Sequence, residues 1–118
     1  MGRLRVDGTD LVLDLTEVER LEGLHGTIRV PLSTVRDVRV AEDPWTELRG
    51  IRAPGTGVPG VIAVGTRVAK GVHDFAVVHG KGPGIVVELD GAEFDRLVVT
   101  EDDAASAAAS LRQQAGLG

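Results

Sequence analysis

The chain has 118 residues, no cysteine and a formal net charge of −5, with 42% hydrophobic and 26% charged residues. That size suits one domain, 1–118, with a real core, because single cores take about 100–200 residues. Without cysteine there is no disulfide framework, thiol nucleophile or thiolate metal site, and the acidic balance disfavours whole-surface attraction to nucleic acid or anionic membrane.

The predicted elements are mostly short strands. Leu4 and Val6 alternate with Arg3 and Arg5, Asp7-Gly8 is a tight-turn signal, and Leu11, Leu13 and Leu15 alternate with Asp10, Val12 and Asp14. Such period-two patterns describe strands buried on one face. Thr16-Glu17-Val18-Glu19 reads as a capping box that opens a short helix over 17–23, with Leu15, Val18, Leu21 and Leu24 at helical spacing and Gly23 or Gly26 as its stop. Strands follow at 27–31 and 35–41, with Val38 and Val40 facing in and Arg39 out, and at most one helical turn between them. Asp43-Pro44-Trp45 begins another short turn. Residues 49–60 carry no clear period and are expected to be a long irregular loop, where function often concentrates. Strands resume at 61–68, 74–78, 85–89 and 94–99, the last two joined by an Asp90-Gly91 turn. After Asp102-Asp103, an Ala/Ser-rich run with a stripe of Ala104, Ala108, Leu111 and Ala115 predicts one closing helix suited to close docking on a sheet.

The composition excludes several classes of function. Trp45, Phe75 and Phe94 are the only aromatic residues, too few for a surface that stacks single-stranded bases. No apolar run approaches the roughly 18 residues of a membrane span, and the N-terminal residues have no apolar leader pattern. Arginine far outnumbers lysine, an association with high-GC bacterial genomes. A cytoplasmic, bacterial-type protein is the expectation.

Strands throughout with one closing helix, carried here by "RVPLSTVRDVRV" (29–40), "RGIRAPGTGVPGVIAVGTRV" (49–68) and "IVVELDGAEFDRLVVTEDDAASAAASL" (85–111), resembles the bacterial pleckstrin-homology-like (PH-like) domains. The resemblance implies a mainly β fold: a partly open antiparallel barrel of seven or eight strands, plugged by the helix. It also implies a non-enzymatic module that binds a protein partner or self-associates, its bacterial members often looking oligomeric. Phosphoinositide-binding relatives use a basic loop between the first two strands. Here that loop holds Asp7 and Asp10, so phosphoinositide binding does not carry over.

Candidate chemistry is sparse. Gly55–Gly60 spells G-x-G-x-x-G, but a dinucleotide fingerprint needs a strand before it and a helix after it. Pro54 precedes the motif, Pro59 lies inside it and a strand pattern follows. The glycines then read as structural, in a loop that crosses between sheets. The window 49–81 holds Arg49, Arg52, Arg67, Lys70 and Lys81 against the single acid Asp74. If these cations converge, they form an anion-binding patch on an acidic protein, the alternative function. Trp45 is one of only three aromatics, which favours a core role, and its place beside the 49–60 segment makes it a candidate interface anchor. His25, His73 and His79 lack metal-ligand spacing, and Ser33, Ser106 and Ser110 sit in no nucleophile elbow. No catalytic residue, metal or cofactor is expected.

Overall fold

The computed structural model describes residues 3–118. In chain order they form β1 (Arg3–Asp7), β2 (Asp10–Asp14), α1 (Glu17–Gly23), β3 (Ile28–Pro31), β4 (Val35–Ala41), β5 (Ile51–Val58), β6 (Ile62–Ala69), β7 (Val72–His79), β8 (Gly84–Leu89), β9 (Arg96–Thr100) and α2 (Ala104–Gln114). Two 3-10 turns, Leu32–Thr34 and Pro44–Glu47, lie where single helical turns were expected. The fold is mainly β with one C-terminal helix. Its strands make two sheets, β1-β2-β3 and β4-β8-β9-β7-β6-β5, without closing a barrel.

The alternation decides which side chains go inward. Leu11, Leu13 and Ile28 of the small sheet meet Val64, Phe75, Val77, Ile85, Val87, Leu97 and Val99 of the large one in a single core. Phe75 and Phe94 touch edge to face at 5.5 Å inside it, a geometry that adds to their burial. Helix α2 lays Ala104, Ala108 and Leu111 on this core as its stripe predicts. Small side chains let a helix sit close to a sheet, and Arg112 then reaches the Val38 carbonyl at 2.8 Å.

The strand count, nine among the described residues, exceeds the expected seven or eight. Residues 51–58, expected to be irregular, form β5, which pairs antiparallel with β6 from Ile51↔Val68 to Val58↔Ile62. Pro54 and the glycines hide the strand signal, but β5 is the edge of its sheet and its register shifts between Arg52 and Gly55. An edge position and a bulge are where proline and glycine are tolerated in a sheet. The G-x-G-x-x-G stretch is therefore not a crossing loop. Its first four residues are strand, and Val58-Pro59-Gly60-Val61 is the hairpin turn, closed by the Val61 amide on the Val58 carbonyl at 2.9 Å. Gly60 has φ 77°, and proline followed by a positive-φ glycine is the type II arrangement. Gly55 is required for a different reason: a Cβ there would lie 2.5 Å from the Val64 carbonyl oxygen. One pair of neighbours, β7 and β9, runs parallel, where the resemblance implies antiparallel pairing throughout.

Two further expectations are corrected in detail. The capping box of α1 forms, with Thr16 and Glu19 exchanging hydrogen bonds at 2.9 and 3.1 Å. However, Val18 (63% exposed), Leu21 (76%) and Leu24 (67%) face solvent, and the helix instead buries Glu19 and Gly23. Gly23 packs so closely on Val64 and Phe75 that a Cβ would sit 3.1–3.2 Å from them, so the helix docks through the side that has no apolar stripe. In β4, Val38 is buried as expected, whereas Val40 is 41% exposed at the strand's end. Arg39 is half buried in an ion-pair network.

Among the described residues no helix is long and apolar enough to cross a membrane.

Candidate functional site

β4 and β5 lie at opposite edges of the six-stranded sheet. The segment 42–50 that joins them must therefore cross the sheet's outer face, as a strap. The strand residues beneath it are small or slender: Ala41, Ala63, Ala76, Val78, Val86 and Val98 form a second cluster, with Trp45 and Leu48 packed on it. Alanine and valine at these outward positions keep the sheet surface low enough for a second layer of backbone. Gly84 is part of the same fit, since a Cβ there would press on Pro44 and on the Val99 carbonyl.

The strap is tied down by hydrogen bonds. Asp43 opens its 3-10 turn by accepting the Trp45 amide at 3.2 Å. The Trp45 indole N–H donates to the Gly80 carbonyl at 2.8 Å, and Arg96 donates to the Glu47 carbonyl at 3.0 Å. Arg49 grips Asp74 through two bonds of 2.8 and 2.7 Å. Asp74 is 2% exposed, and its hydrogen bonds hold the Arg49 guanidinium above the usual arginine value. Arg67 donates to the carbonyls of Arg49 and Gly50 at 3.1 and 2.8 Å.

Beside these ties lies an ionic cluster on the same face. Glu88 accepts from Arg96 (2.9 Å) and Arg39 (3.4 Å), and Glu47 accepts from Arg39 at 2.7 Å. Burial would raise the Glu88 carboxyl, but the Arg96 and Arg39 bonds outweigh it and hold it below its ordinary value. The Arg39 bond does the same for Glu47.

Where the strap comes down to β5, part of the outer face stays uncovered. There a groove of about 560 Å³ is lined by Trp45 and Leu48 of the strap, by Ala63 and Gly57 of the sheet's outer face, and by Ile51 and Val58 of the edge strand. Arg52 and Arg67, cross-strand neighbours in the β5–β6 register, line it. Neither meets a carboxylate among the described residues. Arg52 lies over Gly57 and donates to its carbonyl at 3.0 Å, a position open because Gly57 has no Cβ to fill it. Past Trp45 and Pro59 a second hollow of about 590 Å³ continues, lined by Glu42, Asp43 and Lys81. None of those three forms an ion pair among the described residues.

The five cations of the 49–81 window thus do not form one patch. Arg52 and Arg67 share the groove, whereas Arg49 is neutralised by Asp74. Lys70 lies in the β6–β7 turn and Lys81 in the loop after β7, at opposite ends of an eight-residue strand, roughly 25 Å long at about 3.3 Å per residue. Trp45 packs on the outer cluster and also lines both hollows.

The histidines are engaged separately. His73 stacks on Phe94 at 4.7 Å and bonds the Glu93 carbonyl. His25 meets Phe75 edge to face at 5.2 Å, and His79 lies 2.9 Å from a Glu19 oxygen. Burial would raise the Glu19 carboxyl, yet its hydrogen bonds with Thr16 and His79 help hold it below its ordinary value. In the first hairpin, Asp7 and Asp10 both bind Arg29, at 2.9 and 3.0 Å. Sequence reasoning missed the strap, Leu48, Ile51 and Pro59. The available signal was the run of small outward residues on β6 and β7, which marks something lying close above a sheet.

No protein-family model, curated protein or solved structure matches the chain.

Proposed function

We propose that the protein is a non-enzymatic, PH-like interaction module of bacterial type, working in the cytoplasm, and that it binds a protein partner in the groove beside Trp45. The observation that carries this reading is the uncovered part of the outer face: a groove lined by an aromatic ring and aliphatic residues, with two arginines that have no carboxylate among the described residues. Apolar walls supply affinity, and a few charged groups fix orientation, in most binding clefts. Aromatic and arginine side chains are also the types that most often anchor protein contacts. Two layered sheets closed by a C-terminal helix support the PH-like assignment, and the acidic first hairpin, occupied by Arg29, supports a partner other than a phosphoinositide.

Selection of displayed random peptides against the full chain tests this reading. Enriched sequences should compete with one another, alter the emission of Trp45, the chain's only tryptophan, and lose binding in Val58→Asp. Enrichment that survives Val58→Asp, or no enrichment, overturns it.

The second reading, a small-anion site, rests on Arg52 and Arg67 alone. It expects inorganic phosphate or pyrophosphate to raise the melting temperature of the wild type and not of Arg52→Ala/Arg67→Ala. Arg49 does not belong in that variant, because its loss would strand the buried Asp74.

A further inference from the structure

The groove and the second hollow adjoin at Trp45 and Pro59, which line both, and make a trough in two parts, one on the outer face and one at the loop end of the sheet. The two parts have different charge. Arg67, held on the Gly50 carbonyl, and Arg52, held on the Gly57 carbonyl, line the first part, and Glu42 and Asp43, offset by the single Lys81, line the second. From Arg67 to Ile62, the register partners of Arg52 and Val58, β6 takes five steps, roughly 17 Å at about 3.3 Å per residue, with the Arg52 guanidinium folded over Gly57 between them, and an extended ligand of the same rise needs five or six residues to follow it.

We infer that the trough takes an extended peptide segment with an acidic side chain at one end, apolar residues in the middle and a basic side chain at the other. The acid meets Arg52 and Arg67, the middle lies over Trp45 and Pro59, and the base meets Glu42 and Asp43. This inference rests on the interaction-module reading and adds the chemistry of the partner to it. Charge complementarity singles out this occupant. A compact anion would fill one end and leave the apolar middle and the acidic end unused. A nucleic acid would place phosphate against Glu42 and Asp43, where like charges repel.

The experiment is a titration of the full chain with synthetic six-residue peptides, read by Trp45 emission. One set carries glutamate, four apolar residues and lysine, in both chain directions. The comparison peptides carry the same apolar residues with lysine at both ends or with neutral ends. The expected result is at least tenfold tighter binding of the acid–apolar–base peptide, in one direction or both, than of either comparison peptide. That advantage should disappear in Arg52→Glu, and the lysine-ended peptide should gain on the variant. Arg52 is exposed, and an unchanged melting temperature shows that the variant folds.

Equal binding of the neutral peptide overturns the inference while leaving the groove as an interaction site. Full competition by inorganic phosphate also overturns it, in favour of the small-anion reading. An emission change that follows protein concentration alone, with a doubled solution mass, identifies a second copy as the occupant and overturns it too. If none of these peptides alters Trp45 emission, the inference fails, and the random-peptide selection still decides the groove itself.

Discussion

The two faces of the six-stranded sheet are built from the same strands and the same alternation, yet they end in different states. The inner face presents Val64, Phe75, Val77, Ile85, Val87, Leu97 and Val99 and is closed by the small sheet and α2. The outer face presents Ala63, Ala76, Val78, Val86 and Val98 and is covered only by the strap. An inner face can be sealed because two layers of large side chains interlock over its whole width. A strap of nine residues between β4 and β5 is one backbone wide, so it shields the middle of the face and leaves the β5–β6 side open. The candidate site is this uncovered remainder.

Truncating one aromatic anchor on each face tests the contrast most severely. Phe75→Ala should lower the free energy of unfolding by about 3–5 kcal/mol, the usual cost of emptying a large buried site. Trp45→Ala should cost about 2 kcal/mol, because part of its ring already faces the open groove. Urea denaturation of both variants measures the difference, and equal losses would mean that the outer face is as much core as the inner one.

The next largest effect belongs to the strap's ionic tie. Arg49→Ala should cost about 2–4 kcal/mol, since it leaves the Asp74 carboxylate buried without its partner. Arg49 is itself about one-third exposed, which keeps the loss below that of a fully buried pair. The double variant Arg49→Ala/Asp74→Ala should recover much of this. A double-mutant cycle without coupling would show that the pair does not hold the strap.

Acid should loosen the outer face through Glu47 and Glu88. Both carboxyls are held below their ordinary value in the folded protein, so near pH 4.5 and below the unfolded chain takes up more protons than the folded one. Their contribution is then complete above the unfolded value of about 4.5 and is lost as pH falls through the lower folded values. Between pH 7 and pH 3 the wild type should lose up to about 1 kcal/mol more than Glu88→Gln in urea midpoint experiments. An identical loss would locate the acid sensitivity elsewhere, such as the Asp14 carboxyl, which its hydrogen bond with Arg5 holds below the ordinary value.

The smallest change concerns the groove alone. A Cβ at Gly57 would meet the Arg52 Nη1 at 2.5 Å, and that atom is the far end of a flexible side chain. Gly57→Ala should therefore shift Arg52 while changing stability by no more than about 0.5 kcal/mol. Peptide binding should weaken with the melting temperature nearly unchanged. A large loss of stability would make Arg52 part of the scaffold.

Much of this architecture could be read from the residues in order. Period-two alternation located every strand except β5, the Thr16/Glu19 box placed the start of α1, and the Ala104–Ala108–Leu111 stripe marked the docking face of α2. These features are local, set by side-chain direction and backbone capping within a few residues. What failed depended on position in the sheet. Pro54 and the glycines of 55–60 look like a loop when read alone. They become a bulged edge strand and a type II turn only because β6 supplies a partner on one side and nothing pairs on the other.

The site divides in the same way. The sequence by itself determined the supply of groups: an acidic chain with one tryptophan and a cluster of arginines in 49–81. Tertiary structure decided which of them act together. Sheet order placed β4 and β5 at opposite edges, forced 42–50 across the outer face, spent Arg49 on Asp74, separated Lys70 from Lys81 by the length of β7 and left Arg52 and Arg67 beside Trp45. Charge and ring are properties of single residues, whereas convergence depends on strand pairing between positions far apart in the chain, which no local pattern records.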